Sequence, residues 1–141
     1  MITKYLTAVY KDGGRGELTD DGRLILDCWG LVRMARVELY GRNLLGSHGG
    51  EYRHDPIGFA THYKKQTDDM IEISDPIPGC IIAVLHKKYI CKHVALVVHD
   101  IQRTGLGLHV LEINPAQNAK LWPLSRFLNN NTIRTIRYYD D

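Results

Sequence analysis

The chain has 141 residues, of which 18 are Lys or Arg and 16 are Asp or Glu, so its formal net charge is +2. This length corresponds to about one average domain and argues against separate cofactor and substrate domains. A charge so near neutrality does not favour a nucleic-acid or anionic-membrane surface, and the 44% share of hydrophobic residues is typical of a folded globular chain. We therefore expect a single domain over residues 1–141 that binds no nucleic acid.

The first predicted elements are short and separated by glycines. Residues 2–9 have weak helical character and lead into 10–16, whose glycines predict a loop. From Asp27, a good N-cap residue, apolar side chains recur at helical spacing as far as Gly41, a residue suited to end a helix. The sequence thus predicts a helix that begins at Cys28.

The middle of the chain changes from irregular to apolar. Residues 42–57 predict a long irregular surface segment, and 58–66 predict a short helix before a polar stretch. The turn signal at 76–79 (PIPG) then precedes two strand-sized apolar runs, 81–85 and 91–98. This pattern predicts an antiparallel pair of strands.

Three later segments, 108–113, 119–122 and 132–139, predict further strands. Predicted helices therefore lie in the N-terminal half of the chain and strands in the C-terminal half. This order is typical of an α+β fold in which N-terminal helices pack on an antiparallel sheet of about five strands.

The sequence shows no targeting or membrane segment. Its longest apolar runs fall short of the roughly 20 residues that a membrane-spanning helix requires, so we expect no membrane insertion. Residues 1–5 lack the charged and apolar regions of a secretory signal peptide. If the protein leaves the cytoplasm, we expect another carrier to deliver it.

Three cysteines, an odd and low number, do not suggest a disulfide scaffold and leave at least one free thiol. One residue past an N-cap, Cys28 would meet the unpaired N–H groups and the positive dipole end of a helix, which favour a nucleophilic thiolate. The alternative is a small buried hydrophobe on the apolar stripe that includes Val32 and Ala35.

A thiolate nucleophile also needs a base. His93 begins the predicted strand 93–97, from which its side chain could be held rigidly against a neighbouring helix terminus. Cysteine and histidine partners are neighbours in space and need not be close in sequence. The alternative is a packed or solvated histidine with no catalytic duty.

Four blocks of this sequence, in this order, resemble one known family. They are residues 10–14 (YKDGG), 27–32 (DCWGLV), 78–82 (PGCII) and 93–98 (HVALVV). Together they resemble the NlpC/P60 cysteine peptidases. The resemblance extends from about residue 5 to the end of the chain, and the cysteine block is its most specific part.

This resemblance implies a papain-like α+β fold with Cys28 as nucleophile and His93 as general base. Such enzymes hydrolyse peptide bonds of cell-wall peptidoglycan, typically next to D-glutamyl and diaminopimelyl residues, and need no metal or organic cofactor. It also implies that Tyr10 and Asp27 bind substrate, with Tyr10 near the thiol to orient substrate or help bind the oxyanion. A loop aromatic that covers the core is the alternative for Tyr10.

The family's third catalytic residue is a polar group that orients the histidine, and two residues of this chain are candidates. His109 and Glu112 lie on the same predicted strand but three residues apart, so they face opposite sides of it. Family spacing favours Glu112, whose carboxylate would accept the imidazole N–H and stabilise the imidazolium. His109 is the commoner family residue type and stays an alternative.

The other two cysteines, Cys80 and Cys91, are not expected to be catalytic. Cys80 replaces the acidic residue that usually follows the Pro-Gly pair, and we expect it to be a packed hydrophobe. Cys91, two residues before His93, is expected to share its face and to neighbour the active site. Cys91 and His93 form one close pair of metal-binding types without a matching second pair, so we expect no metal site.

Trp29 after the cysteine and Arg33 after the valine make this chain most similar to the phage-tail branch of the family. The resemblance therefore implies a component of the virion tail tip that is delivered to the host cell envelope. Its implied partners are the peptidoglycan stem peptide and tail-tip or hub proteins. The alternative is a structural or plug component of the tail tip with weak or no hydrolase activity.

Overall fold

A computed structural model describes residues 1–48 and 55–141 of the chain. Within these residues the four helices are α1 Ile2–Leu6, α2 Cys28–Tyr40, α3 Pro56–Thr67 and α4 Leu124–Asn130. The nine strands of the same part are β1 Val9–Tyr10, β2 Arg15–Leu18, β3 Leu24–Leu26, β4 Ile71–Ile73, β5 Ile81–His86, β6 Ile90–Val98, β7 His109–Asn114, β8 Asn118–Pro123 and β9 Thr135–Asp140. The predicted α+β class is confirmed.

Six strands form a large sheet in the order β4-β9-β5-β6-β7-β8, with every neighbouring pair antiparallel. The predicted pair stands at its centre, where Ile81 of β5 lies opposite Leu96 of β6. Both strands are buried on both faces, which explains their continuous apolar runs. The sheet has one strand more than expected because β4 has only three residues, none of them buried, and so lacks an apolar signal.

The sheet separates two apolar clusters. The larger cluster joins one face of the sheet to α2 and includes Trp29, Leu31, Val32, Ala35, Ile81, Val94 and Leu96. The second cluster lies on the other face, where Phe127 of α4 is buried with Ile82 and Val97. Burial of one such side chain contributes about 2 kcal/mol to stability. Helix α4 was not predicted because its seven residues are too few to show a period.

Three short strands form a second sheet that the sequence did not predict. Strand β3 is central, with β1 parallel to it on one side and β2 antiparallel on the other. The segment 10–16 was therefore not a single loop: Tyr10 ends β1, and Arg15 and Gly16 begin β2. Strands of two to four residues are too short for alternation to be recognised in a sequence.

The predicted irregular segment 42–57 lies partly outside the described residues. Its described part from Arg42 to His48 contains no helix or strand, whereas Pro56 and Ile57 already belong to α3. The Asp55 side chain accepts a hydrogen bond from the Gly58 backbone N–H and so caps this helix. The helix is longer than the predicted 58–66 because of that cap and because proline suits the first helical position. No helix of the described chain is long and apolar enough to cross a bilayer.

Candidate active site

The first residue of α2 is Cys28, as the sequence predicted. Asp27 is the N-cap, and its Oδ1 accepts a hydrogen bond of 2.8 Å from the Gly30 backbone N–H. At the other end Gly41 adopts a left-handed conformation with φ 62°, which ends the helix. The thiol of Cys28 therefore lies at the end of a helix where backbone N–H groups lack intrahelical acceptors and the dipole favours negative charge.

The turn between β1 and β2 packs directly on this helix start. A Cβ atom at Gly30 would lie 2.1 Å from the carbonyl oxygen of Gly14, and one at Gly14 would lie 2.7 Å from the backbone nitrogen of Leu26. Real Cβ atoms do not approach other atoms so closely, so both positions require glycine. The double-glycine segment thus has a packing role, which brings Tyr10 close to the start of α2.

Asp27 is buried and already satisfied by protein donors. Besides Gly30, its carboxylate accepts hydrogen bonds from the Gly13 backbone N–H at 2.9 Å and from the Arg15 guanidinium at 2.7 Å. Only 2% of the residue is exposed. Asp27 lines the candidate cavity, as a substrate-binding residue should, but its contacts are those of a residue that holds the helix start in place.

His93 is the fourth residue of β6, so the expectation that it opens its strand was wrong by three residues. Between the paired residues Val84–His93 and Leu85–Cys91 the register of β5 and β6 shifts, which leaves Lys92 without a partner on β5. This extra residue is a β-bulge, a device that redirects side chains and is common next to active sites. The bulge breaks the two-residue alternation that predicted a shared face for Cys91 and His93.

His93 joins the helix start to the sheet. Its Nε2 and Glu112 Oε1 are 2.8 Å apart, and its ring lies near the Cys28 thiol, with which it lines the same cavity. Because Glu112 occupies Nε2, the nitrogen that remains for Cys28 is Nδ1. The structure therefore brings together the three residues that the sequence proposed as nucleophile, base and orienting carboxylate.

Glu112 reaches His93 through the register of β6 and β7. Leu96 lies opposite Leu111, so Glu112 is level with Ala95 and diagonal to His93 on the same face. Its second oxygen accepts a hydrogen bond of 2.7 Å from the Trp122 indole. Trp122 was missed from the sequence, although the predicted strands 108–113 and 119–122 already implied a hairpin that would bring it near Glu112.

The alternative candidate, His109, lies away from this group. Its Nδ1 is 2.8 Å from the Gly107 carbonyl oxygen, and its Nε2 is 3.3 Å from the Thr104 hydroxyl. Three residues along one strand place it on the opposite face from Glu112, as the sequence predicted. Its ring is thus engaged by the loop that precedes β7.

The electrostatics of the group favour a charged pair. Burial alone would lower the pKa of His93, but its hydrogen bonds to Cys28 and Glu112 and the negative charge of both raise it to about 10. For Glu112 burial acts to raise the pKa, yet the His93 ring and the Trp122 and Asn114 side chains lower it overall. At neutral pH an imidazolium and a carboxylate therefore stand side by side.

Tyr10 borders the same cavity. Its hydroxyl donates a hydrogen bond to the Asp12 carboxylate. Burial and this hydrogen bond raise the pKa of Tyr10, so the phenol stays neutral at physiological pH. Tyr10 is thus near the thiol, where the resemblance implied it, with its proton engaged by Asp12.

A cavity of about 370 Å³ lies where these elements meet. The helix starts, the β6 bulge and the β7–β8 turn line it with Tyr10, Asp27, Cys28, Pro56, Phe59, Cys91, Lys92, His93, Ile113, Asn114 and Pro115. The sequence did not single out Pro56, Phe59, Lys92 or Asn114 as site residues. Their positions depend on packing between distant segments, which leaves no local signal.

All three cysteines are free, and they have different surroundings. Cys80 is fully buried in the second apolar cluster, as expected of a packed hydrophobe. Cys91 does neighbour the site, since it lines the cavity, but it is buried and burial raises its pKa, which keeps it a thiol. Within residues 1–48 and 55–141 no three Cys, His, Asp or Glu side chains stand close enough together to hold a metal ion.

The site thus combines a partly exposed thiol at a helix start, an imidazole beside it and a carboxylate behind the imidazole. Such a group can deprotonate the thiol, and the resulting thiolate can attack an electrophilic carbon held in the cavity. Comparisons of the chain with models of known protein families, with curated proteins and with solved structures found no match.

Proposed function

We propose that this chain is a papain-like cysteine peptidase of the NlpC/P60 type that hydrolyses peptide bonds of cell-wall peptidoglycan. The observation that carries the proposal is that Cys28 and His93 line one open cavity while the His93 ring is hydrogen-bonded to Glu112. Each of the three residues lies next to the group that its proposed role requires. The thiol is next to a base, and the base is held by a carboxylate.

The reaction follows from these contacts. With the thiol proton already held by His93 as an imidazolium, the Cys28 thiolate attacks the scissile carbonyl carbon to form a tetrahedral intermediate. The imidazolium then protonates the leaving amine, and the C–N bond breaks to leave a thioester. His93 next accepts a proton from water, which attacks the thioester and releases the carboxylic acid and the thiol.

Two further groups stabilise charge along this path. The Glu112 carboxylate stabilises the imidazolium that forms when His93 accepts a proton, and Trp122 holds that carboxylate in position. The backbone N–H of Cys28, at the helix terminus, can donate to the oxyanion of the tetrahedral intermediate. A preorganised donor of this kind is worth about 10²–10³-fold in rate.

The substrate and the location of the enzyme rest on the sequence resemblance. It supports a peptidoglycan stem peptide as substrate, and a place in a virion tail tip, among hub proteins, where the enzyme would assist wall penetration. The two residues that mark the phage-tail branch both hold the chain after α2: the Trp29 indole donates to the Gly46 carbonyl and the Arg33 guanidinium to the Leu45 carbonyl.

The test is mass spectrometry of defined peptidoglycan fragments incubated with the wild type and with Cys28→Ala. We expect the wild type to cut a stem-peptide bond and Cys28→Ala to leave every fragment intact, because the variant lacks the nucleophile. Circular dichroism and thermal unfolding of both proteins serve as the control for folding. Equal cleavage by both proteins would reject the assignment, and no cleavage by the wild type would favour the scaffold alternative.

A further inference from the structure

Among the described residues, the charged side chains that line the candidate cavity are paired, with one exception. Asp27 forms an ion pair with Arg15 at 2.7 Å, and Glu112 forms one with His93 at 2.8 Å. Lys92 also lines the cavity, but its side chain is exposed and has no ion-pair partner among the described residues. Lys92 is thus the one lining cation of the described part that no carboxylate neutralises.

The position of Lys92 at the cavity follows from the β6 bulge. Lys92 is the extra residue of the β6 bulge, between Cys91 and His93, both of which line the cavity. A bulged residue has no cross-strand partner, so its side chain is not needed for packing of the sheet. The bulge next to His93 therefore also places Lys92 among the residues that line the same cavity.

The charges of the cavity in the reactive state, with Cys28 as a thiolate, determine how a lysine ammonium would affect substrate binding. With His93 protonated, the imidazolium and the Glu112 carboxylate balance each other, as Arg15 and Asp27 do. The Cys28 thiolate then leaves one negative charge in the cavity, which would repel a substrate that carries a carboxylate. An ammonium group at the rim offsets that repulsion and offers hydrogen-bond donors to the carboxylate.

We propose that Lys92 is a specificity-determining residue that binds a carboxylate of the substrate beside the scissile bond. The proposal rests on the proposed function, because it assumes that the Cys28 cavity receives a peptide. It adds that Lys92 is the side chain that contacts a carboxylate of this acidic peptide. A substrate whose carboxylate is amidated, as in a carboxamide, would lose this contact.

The first test uses the thiol of Cys28 itself as the reporter. The rate constants for alkylation by iodoacetate, which is anionic, and by iodoacetamide, which is neutral, are compared by mass spectrometry of the Cys28 peptide at low ionic strength. We expect Lys92→Gln to lower the iodoacetate-to-iodoacetamide ratio about threefold, as for an exposed ion pair. Lys92→Arg should preserve the ratio, and 1 M salt should lower the wild-type ratio through screening.

Lys87→Gln is the matched control. It removes the same charge from the turn of the same hairpin, at a lysine that does not line the cavity, and should leave the ratio unchanged. A ratio that is the same in the wild type and in Lys92→Gln overturns the proposal. So does an equal effect on both reagents, because it would mean that Lys92 acts on the thiolate and not on the ligand.

The second test measures binding without hydrolysis, in the Cys28→Ala background. The probes are the tripeptide L-alanyl-γ-D-glutamyl-diaminopimelic acid and the same tripeptide with its D-glutamyl α-carboxylate converted to a carboxamide. We expect the further change Lys92→Gln to weaken binding of the acidic form about threefold and to leave the carboxamide form unaffected. Equal weakening of both, or no binding of either, overturns the proposal.

Neither test depends on turnover, so the two proposals can fail separately. If the wild type hydrolyses no fragment while the Lys92 effects are found, the peptidase function fails and the anion site stands. If fragments are hydrolysed while Lys92→Gln has no charge-selective effect, the substrate preference fails and the peptidase function stands.

Discussion

Two regions of the molecule supply the candidate site, and they are held in different ways. The region that carries Cys28 is a helix start fixed by contacts close in sequence: the Asp27 cap, and a glycine turn that packs on Gly30. The region that carries His93 and Glu112 is a sheet, where position depends on a bulge and on strand register. The comparison teaches that Cys28, the proposed nucleophile, is positioned by steric fit, and that His93, its proposed base, is positioned by cross-strand pairing.

The largest expected effect comes from removing the link between the two regions. His93→Ala should lower peptide hydrolysis by about 10³-fold or more, because the thiol loses its base. The alkylation rate of Cys28 at neutral pH should fall with it. An alkylation rate as slow in the wild type as for a buried cysteine would instead favour a scaffold role.

The steric fit of the first region can be broken at Gly30. Gly30→Ala would force a Cβ into the Gly14 carbonyl oxygen, so we expect a loss of about 3 kcal/mol in the free energy of unfolding, measured with urea. Gly22→Ala is the control, because a Cβ there meets no atom within 4 Å and only its φ of 84° costs about 1 kcal/mol. Equal losses in the two variants would contradict steric fit as the cause.

The register of the second region can be tested by comparing the two candidate orienting residues. Glu112→Gln removes a charge-assisted hydrogen bond and should lower kcat about 10- to 100-fold, with little change in fold. His109→Ala should leave kcat within about twofold of the wild type, since its ring contacts the loop before β7. A stronger effect of His109→Ala than of Glu112→Gln would reverse the assignment.

The charged pair of His93 and Glu112 within the second region predicts how stability depends on pH. The pKa of His93 rises from its ordinary 6.5 to about 10 on folding, so the folded protein holds a proton that the unfolded chain releases above about pH 6.5. This stabilisation is complete below pH 6.5 and is lost as the pH rises through about 10. The difference in unfolding free energy between the wild type and His93→Ala should shrink over that range, and a growing difference would contradict the pair.

The first region was largely predictable, and the sheet less so. Asp27, Cys28 and Gly41 were recognised because a cap, a helix start and a left-handed end are local features with typical residues. The small sheet escaped because β1 and β3 have two and three residues. The choice between Glu112 and His109 stayed open because alternation places two residues on opposite faces but does not say which face meets His93.

By itself the sequence determined the class of fold, the helix that begins at Cys28 and the central hairpin, because helical spacing, caps and continuous apolar runs follow from neighbours along the chain. Only the tertiary structure decided whether Glu112 or His109 meets His93, where the β6 strand bulges, and that Lys92 lines the cavity. The physical reason is that register and bulges are chosen by how distant strands and helices bury their apolar faces together.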